Sequence, residues 1–509
     1  MKKYIFPIYL VTALLFISCS SDDNIIPDFE EEQQEIPQEE EQPSATAEDY
    51  PAQNFMWQAM NQFYFWQGDV ANLADTNFTG PDDTNYIEFL ASEENPATFF
   101  YEDLCNNHVN AVGEASAVDR FSGAVENYRD LLNSLQGISR SNGLEFNLYL
   151  NDDSFSVYGV VNYIMPNSDA SEKNIKRGDF FNGVNGQLMN IDNYIDLLFG
   201  EDASYTLNMA NLENDVIVSN DEEVELTKIE NFSENPILVS TVIEQNGLKI
   251  GYLMYNGFLA AFDDPLNEAF GAFKAENIDE LVLDFRYNSG GRVSSAIQIA
   301  SSVYGAKTEE VFIRPRFNDK LQEQFGTPDN FTDVTFDSET TINELNLTRV
   351  YVITSGNTAS ASELVINGLE PYIDVVQVGT TTVGKNEFSN TFVDDPEGSF
   401  LYNPDRENQI NPNNSWAIQP LLGRNENADG FSDYTGGLVP DHIQAEDIGN
   451  LGVLGDVNEP LLALTLSVIS GGTAKRSFTQ PYAADYLTNS KMFTLTKDNM
   501  FMDGLLEKL

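Results

Sequence analysis

Four short apolar runs set the fold class. LKIGYLMY, ELVLDFR, RVYVIT and DVVQVGT are close to continuous in apolar residues rather than alternating. Strands of that kind are buried on both faces, as in a parallel sheet covered by helices. The stretches VSSAIQIASSVYG and SASELVINGLEP, which lie between them, carry the apolar spacing of helices. Strand–turn–helix alternation over residues 236–460 therefore predicts an α/β unit with crossover connections. PRFNDKLQEQFGTPDNFTDVTFDSET reads as a long insertion between core elements, and no internal repeat is visible.

The flanking regions differ in character. From 46 to 140 the pattern is helical, with Phe55, Met56, Met60, Phe63 and Tyr64 at roughly 3.6-residue spacing and SAVDRFSGAVENYRDLLNSLQG continuing it. That stripe reads as core packing. From 141 to 232 the chain turns to strands: GLEFNLYL, SVYGVVNYIM, a run ending at Asn185-Gly186, a short helix in NIDNYIDLLFG, and ASYTLNMA. The order resembles a PDZ domain, with Gly143, Leu144, Glu145 and Phe146 standing where that family has its carboxylate-binding loop. The resemblance implies backbone N–H groups offered to a peptide C-terminus, and a strand edge to which the peptide adds. Past 460, EPLLALTLSVIS predicts a helix, and residues 461–509 form an extension that the sequence does not place.

The N-terminus carries Lys2 and Lys3, an apolar run from Tyr4 to Ile17, and Ser18-Cys19. The run is too short to span a bilayer and has the length of a signal-peptide core. A small residue before a Cys, followed by SSDDN, resembles a bacterial lipobox. It implies removal of residues 1–18, acylation of Cys19 and anchoring in the outer membrane, cell-surface exposed, with a periplasm-facing alternative. Residues 19–45 are rich in Glu, Gln and Pro and read as an extended tether. The formal charge of −55, from 26 basic against 81 acidic residues, disfavours nucleic acid and anionic lipid surfaces. Membrane contact is expected through the lipid alone. One cysteine, Cys105, remains after Cys19, which leaves no intramolecular disulfide. Cys105 with His108 and the remote His442 makes no zinc set.

Two motifs carry chemistry. GTTTVGKN, Gly379 to Asn386, approaches a phosphate loop, but Asn386 replaces the hydroxyl that holds magnesium and no helical period follows. No nucleotide, metal or other cofactor is expected. VYVITSGNTASASELVINGLE is a strand, a turn of small residues and a helix. A Ser at such a turn exposes its hydroxyl beside an unbonded N–H, the geometry of a nucleophile with half an oxyanion hole. It needs a base. His442 is not poised for that, whereas Lys385 serves if burial keeps its amine neutral.

LVLDFRYNSGG, SGNTASASEL, VGTTTVGKNEF and GGLVPD, with DRFS at Asp119–Ser122 ahead of them, occur in the order of the carboxyl-terminal processing (tail-specific) protease family. The resemblance covers residues 46 to 460. It implies a crotonase/ClpP-like α/β catalytic domain, an inserted or preceding PDZ-like β domain, and an N-terminal helical domain. It implies Ser360 as nucleophile, Lys385 as general base, and an oxyanion site from the N–H of Ala361 with Gly290 or Gly291. It also implies cleavage of polypeptides with accessible C-terminal tails. Many members carry Gln four residues after the Lys; here that position is Ser389, so Glu363, one helical turn past Ser360, is the candidate for orienting the base. Asp284 and Arg286 read as a bracing ion pair. The alternative is an inactive surface lipoprotein of the same fold that binds peptides. A penicillin-recognising enzyme is excluded, because no serine precedes a lysine by three positions.

Overall fold

The computed structural model describes residues 45–471 and 484–506. The leader, Cys19 and nearly all of the tether lie outside them. The first elements are helices: α1 (Pro51–Phe63), α2 (Thr84–Leu90) and α3 (Tyr128–Leu135). Pro51 opens α1, where its missing N–H leaves no bond unmade. The α1 stripe is core: Phe55, Met56, Met60 and Phe63 are buried in one cluster with Leu253, Leu283 and Val352. The stretch 46–140 thus shares its core with the α/β part, and the described residues from Thr46 on form one compact unit.

Short helical elements continue at Pro96–Thr98, Phe99–Leu104 and Val109–Val112, and the helical expectation fails at Asp119–Val125. The Asp119 carboxylate accepts the N–H groups of Phe121 and Ser122, at 3.0 and 2.9 Å. An Asp that bonds its own local backbone competes with helix formation. Gly123–Val125 then pairs as a strand with Ala417–Gln419.

The stretch expected to be PDZ-like contains β1 (Leu144–Leu150), β2 (Val157–Ile164), β3 (Phe180–Val184), α4 (Tyr194–Phe199), β4 (Ser204–Glu213) and β5 (Val216–Thr227). Asn185 and Gly186 both take positive φ, 50° and 78°, at the two-residue turn after β3.

Then come β6 (Ile237–Gln245), β7 (Leu248–Tyr255), α5 (Asp263–Glu276), β8 (Glu280–Asp284), β9 (Gly291–Arg292), α6 (Val293–Tyr304) and β10 (Val311–Phe317). They are followed by β11 (Arg349–Thr354), α7 (Ala361–Leu369), β12 (Asp374–Gly379), β13 (Glu387–Ser389), β14 (Leu421–Asn427), β15 (His442–Ile443) and α8 (Pro460–Ile469). One six-stranded sheet runs β6-β7-β8-β11-β12-β15, parallel throughout except for the β6–β7 hairpin. The four apolar runs are its β7, β8, β11 and β12.

The C-terminal stretch supplies two more strands, β16 (Asp485–Asn489) and β17 (Met500–Phe501). β16 pairs antiparallel with β1, so the third sheet runs β16-β1-β2-β3-β4-β5. β17 lies parallel between β9 and β13 in a second six-stranded sheet, β9-β17-β13-β14-β10 followed by Asp329–Asn330.

Arg286 braces the end of β8. It is fully buried and bonds Asp284 through Nε and Nη2 (2.9 and 2.7 Å), Glu459 through Nη1 (2.8 Å) and Glu446 through Nη1 (3.0 Å). Those carboxylates hold the guanidinium pKa above its ordinary value against the cost of burial.

Candidate active site

Ser360 closes the turn between β11 and α7. Its backbone sits at φ 65°, ψ −118°, a conformation that costs a non-glycine residue about 1–3 kcal/mol. Neighbouring bonds impose it. The Ala359 N–H donates to the Asn288 carbonyl at 3.1 Å, the Thr358 hydroxyl to the Phe285 carbonyl at 2.8 Å, and the Ser360 N–H to Glu363 Oε2 at 2.8 Å. Asn288 itself is fixed by its amide N–H on the Tyr255 carbonyl. Ser360 Oγ is buried and has no hydrogen-bond partner. No bond to the Ala361 N–H is present among the described residues.

Glu363 joins the two halves of the site. Oε2 accepts the N–H groups of Ser360 and Lys385 (2.8 and 2.9 Å), and Oε1 accepts the Gly384 N–H and the Thr382 hydroxyl (2.7 and 2.5 Å). Burial pushes its carboxyl up to about 7, against the pull of these donors. Its bond to Lys385 is to the backbone N–H, not to the amine. A further bond, Val383 N–H to the Thr358 carbonyl at 3.0 Å, ties the lysine segment along the serine turn.

The Lys385 side chain is buried, and burial lowers its amine to about 8. Asp498, Glu387, Asp119 and Glu363 oppose that shift. Its Nζ stands 4.8 Å from the centroid of the Phe121 ring. Arg120, the neighbour of Phe121, donates to the Gly384 carbonyl at 2.6 Å. The DRFS segment therefore meets the lysine segment twice, at the Gly384 carbonyl and at the Lys385 amine. Sequence reasoning singled out that segment but gave Phe121 and Arg120 no role.

Three expectations need correction. The N–H groups of both oxyanion glycines are engaged: Gly290 donates to Asn288 Oδ1 at 2.9 Å and Gly291 to the Asn499 carbonyl at 2.8 Å. Both glycines have positive φ, 114° and 132°, and a Cβ on Gly290 would stand 2.6 Å from Ser360 Cβ. The close approach expected of glycine is therefore present, but free donors are not. Ser389 does not orient the lysine, because its hydroxyl donates to Asn499 Oδ1 at 2.6 Å. The segment Gly143–Phe146 is no open carboxylate cradle. The Gly143 N–H donates to Ser141 Oγ, Leu144 to Asn142 Oδ1 and Phe146 to Ser490 Oγ. Glu145 is buried and accepts from the Ser490 hydroxyl. The strand edge expected to receive a peptide is taken by β16.

Elsewhere, Cys105 is a buried free thiol. His108 caps a short helix and bonds the Ser122 carbonyl. Among the described residues no cluster of His, Cys, Asp or Glu suits a metal ion. A hollow of about 640 Å³ beside Tyr50, Glu93, Glu126 and Trp416 shares no residue with the serine turn.

Residues 249–420 match the profile of peptidase family S41, and residues 52–123 that of the peptidase S41 N-terminal domain. Over those two stretches the chain is similar to peptidase family S41. Proteins of that family are serine peptidases. A carboxyl-terminal-processing protease of Picosynechococcus is 24% identical over 271 residues, spanning 52% of this chain and 59% of that protein. A crystal structure from Bacteroides fragilis, assigned as an S41 protease, superposes with a TM-score of 0.61 at 26% identity, covering 82% of this chain and 97% of that one. The mixed α/β architecture with its N-terminal part is that of S41 peptidases.

Proposed function

We propose that this chain is an endopeptidase of the C-terminal processing type, tethered to the outer membrane through Cys19, with Ser360 as nucleophile and Lys385 as general base. One observation carries the reading. A strained strand-to-helix turn carries an unbonded serine hydroxyl, and that serine's backbone N–H donates to the same carboxylate, Glu363, as the backbone N–H of a buried lysine of lowered pKa. A plain helix cap needs neither the strain nor the lysine.

In this mechanism neutral Lys385 Nζ takes the proton as Ser360 Oγ bonds to a peptide carbonyl carbon. The N–H of Ala361 holds the oxyanion, joined by that of Gly291 once the Asn499 carbonyl leaves it. The C–N bond then breaks, and Lys385 returns the proton to the departing amine. Water attacks the Ser360 ester and gives a proton to Lys385, which passes it to the departing Ser360 Oγ as the peptide leaves with a new C-terminal carboxylate. Proton transfer of this kind contributes about 10²–10⁴-fold, and one oxyanion donor about 10²–10³-fold. The β domain can take up a polypeptide at the β1 edge only once β16 leaves it. The inactive-lipoprotein alternative leaves the strain at Ser360 and the lowered Lys385 pKa without a purpose.

The test is hydrolysis of a peptide with a free C-terminal tail by the wild type beside Ser360→Ala and Lys385→Ala. Turnover by the wild type with silence in both variants is the expected result. Equal rates in all three overturn the assignment.

A further inference from the structure

The proposed nucleophile is sealed inside the protein. Ser360 is 0% exposed and Lys385 1%, so no external carbonyl reaches either until something moves. What covers them is the chain's own C-terminal stretch. The Asn499 carbonyl and Ser360 Oγ each lie 2.8 Å from the point where a Gly290 Cβ would stand. Asn499 also takes the Gly291 N–H and the Ser389 hydroxyl. Asp498 is the largest negative influence on Lys385. Beyond them the Met502 N–H donates to the Ser389 carbonyl at 3.0 Å, and Asp503 accepts from Arg292 Nε at 2.6 Å.

The sheet around this stretch is built with a gap. β9 bridges Phe258 on one side and pairs with β17 on the other, and β13 has β17 on one side and β14 on the other. Without β17 two strand edges face each other one strand apart, with Ser360 at the gap. Unpaired edges of that kind pair with any extended chain, through backbone bonds that do not depend on its sequence. The same segment fills a second edge, where β16 lies on β1 and Ser490 bonds Glu145 and Phe146. Between the two contacts a polar space of only about 30 Å³ is left, bordered by Ser289, Asn357 and Asp498. That is room for about one water molecule, not a peptide.

We propose that the cleft over Ser360 binds polypeptide as a strand laid parallel between β9 and β13, and that residues 484–506 of this chain are its resident occupant, displaced before a substrate is cut. The inference rests on the peptidase reading above. Occupancy of both edges by one segment makes release at either edge favour release at the other.

The experiment uses the full chain with a recognition site for a specific protease placed within residues 472–483. Hydrolysis of a tailed reporter peptide is measured before cutting, after cutting and removal of the freed segment, and after adding back a synthetic 484–506 peptide. The expected result is a rise on removal and a fall on adding the peptide back. Binding of the labelled synthetic peptide to the emptied chain is read separately, without turnover. Met500, Met502 and Leu505 are buried, so the emptied chain is checked by its melting transition. Should it unfold, Asp503→Asn in the uncut chain decides. Losing the charge-assisted bond from Arg292 loosens the segment and raises kcat/KM roughly three- to tenfold. A folded, emptied chain no faster than the intact one, or failure of the peptide to bind it, overturns the inference; so does an unchanged rate in Asp503→Asn where that variant decides. Peptide binding without hydrolysis in any form overturns the peptidase reading and leaves the strand site standing.

Discussion

Replacing Glu363 by Gln changes one atom and asks whether a buried carboxylate joins the two halves of the site. Four donors converge on it, two per oxygen. An amide has one acceptor oxygen, so two of them must face an NH₂ group. The Thr382 hydroxyl rotates to accept, whereas the remaining backbone N–H cannot. With Oε1 turned to Ser360 and Lys385, the Gly384 N–H is left buried and unpaired, at about 1–3 kcal/mol. Against that stands the cost of ionising Glu363 itself. Its carboxyl is raised from 4.5 to about 7 by burial. A raised carboxyl pKa gives stability that is complete below pH 4.5 and lost as pH climbs through about 7. At 1.36 kcal/mol per pH unit the loss is about 3 kcal/mol. The variant has no such loss. The stability difference, wild type minus variant, should therefore fall by about 3 kcal/mol between pH 4.5 and 8, read from urea melts of both proteins at each pH. In the same variant kcat should drop about 10²-fold with KM little moved, because the Lys385 segment is no longer held to the serine turn and small misplacements are costly. A difference that is flat with pH refutes the burial argument, and an unchanged kcat refutes the clamp.

Other perturbations follow from the same geometry. Phe121→Ala opens the Lys385 amine to water, which raises its pKa from about 8. The rising limb of kcat/KM against pH should move to higher pH, and the rate at pH 7 should fall about tenfold for every pH unit the limb moves; a limb that stays in place refutes the role given to the ring. Arg286→Ala leaves Asp284 and Glu459 buried without their partner. It should cost about 3–5 kcal/mol in urea melts, and a loss below about 1 kcal/mol would show that the network does not brace the β8 end. Cys19→Ser should abolish incorporation of labelled fatty acid and release the protein from the membrane fraction; unchanged labelling would rule out the lipid anchor.

What the sequence made legible was local. The four apolar runs became four neighbouring strands because burial on both faces shows in consecutive residues. Ser360 and Lys385 lie in segments whose turn chemistry is written within a few positions, and Glu363 one helical turn away was within reach of the same reasoning. Phe121 and Arg120 were not, since Arg120 meets Gly384 across 264 residues of chain and no periodicity encodes such a contact. The Asp119 turn misled for a related reason: its apolar neighbours keep a helical rhythm while a side chain takes over the backbone donors.

The C-terminal stretch was hardest to read, and the cause is physical. β17 is two residues long, too short to show an alternating pattern, and its register comes from β9 and β13 rather than from itself. A trace exists in Met500-Phe501-Met502, where the methionines are buried and Phe501 is half-buried, the period of a strand lying against a core. Its consequence is chemical. The Gly291 N–H needed for an oxyanion is donated to Asn499, and the Ser389 hydroxyl points to the same residue. The glycines were expected where backbone approaches substrate closely, and in this structure the backbone that approaches Gly290 is the chain's own Asn499 carbonyl. On the peptidase reading proposed above, a nucleophile under the chain's own backbone strand is restrained by the same hydrogen bonds that would draw a substrate in, so affinity for polypeptide and restraint of cleavage rise together.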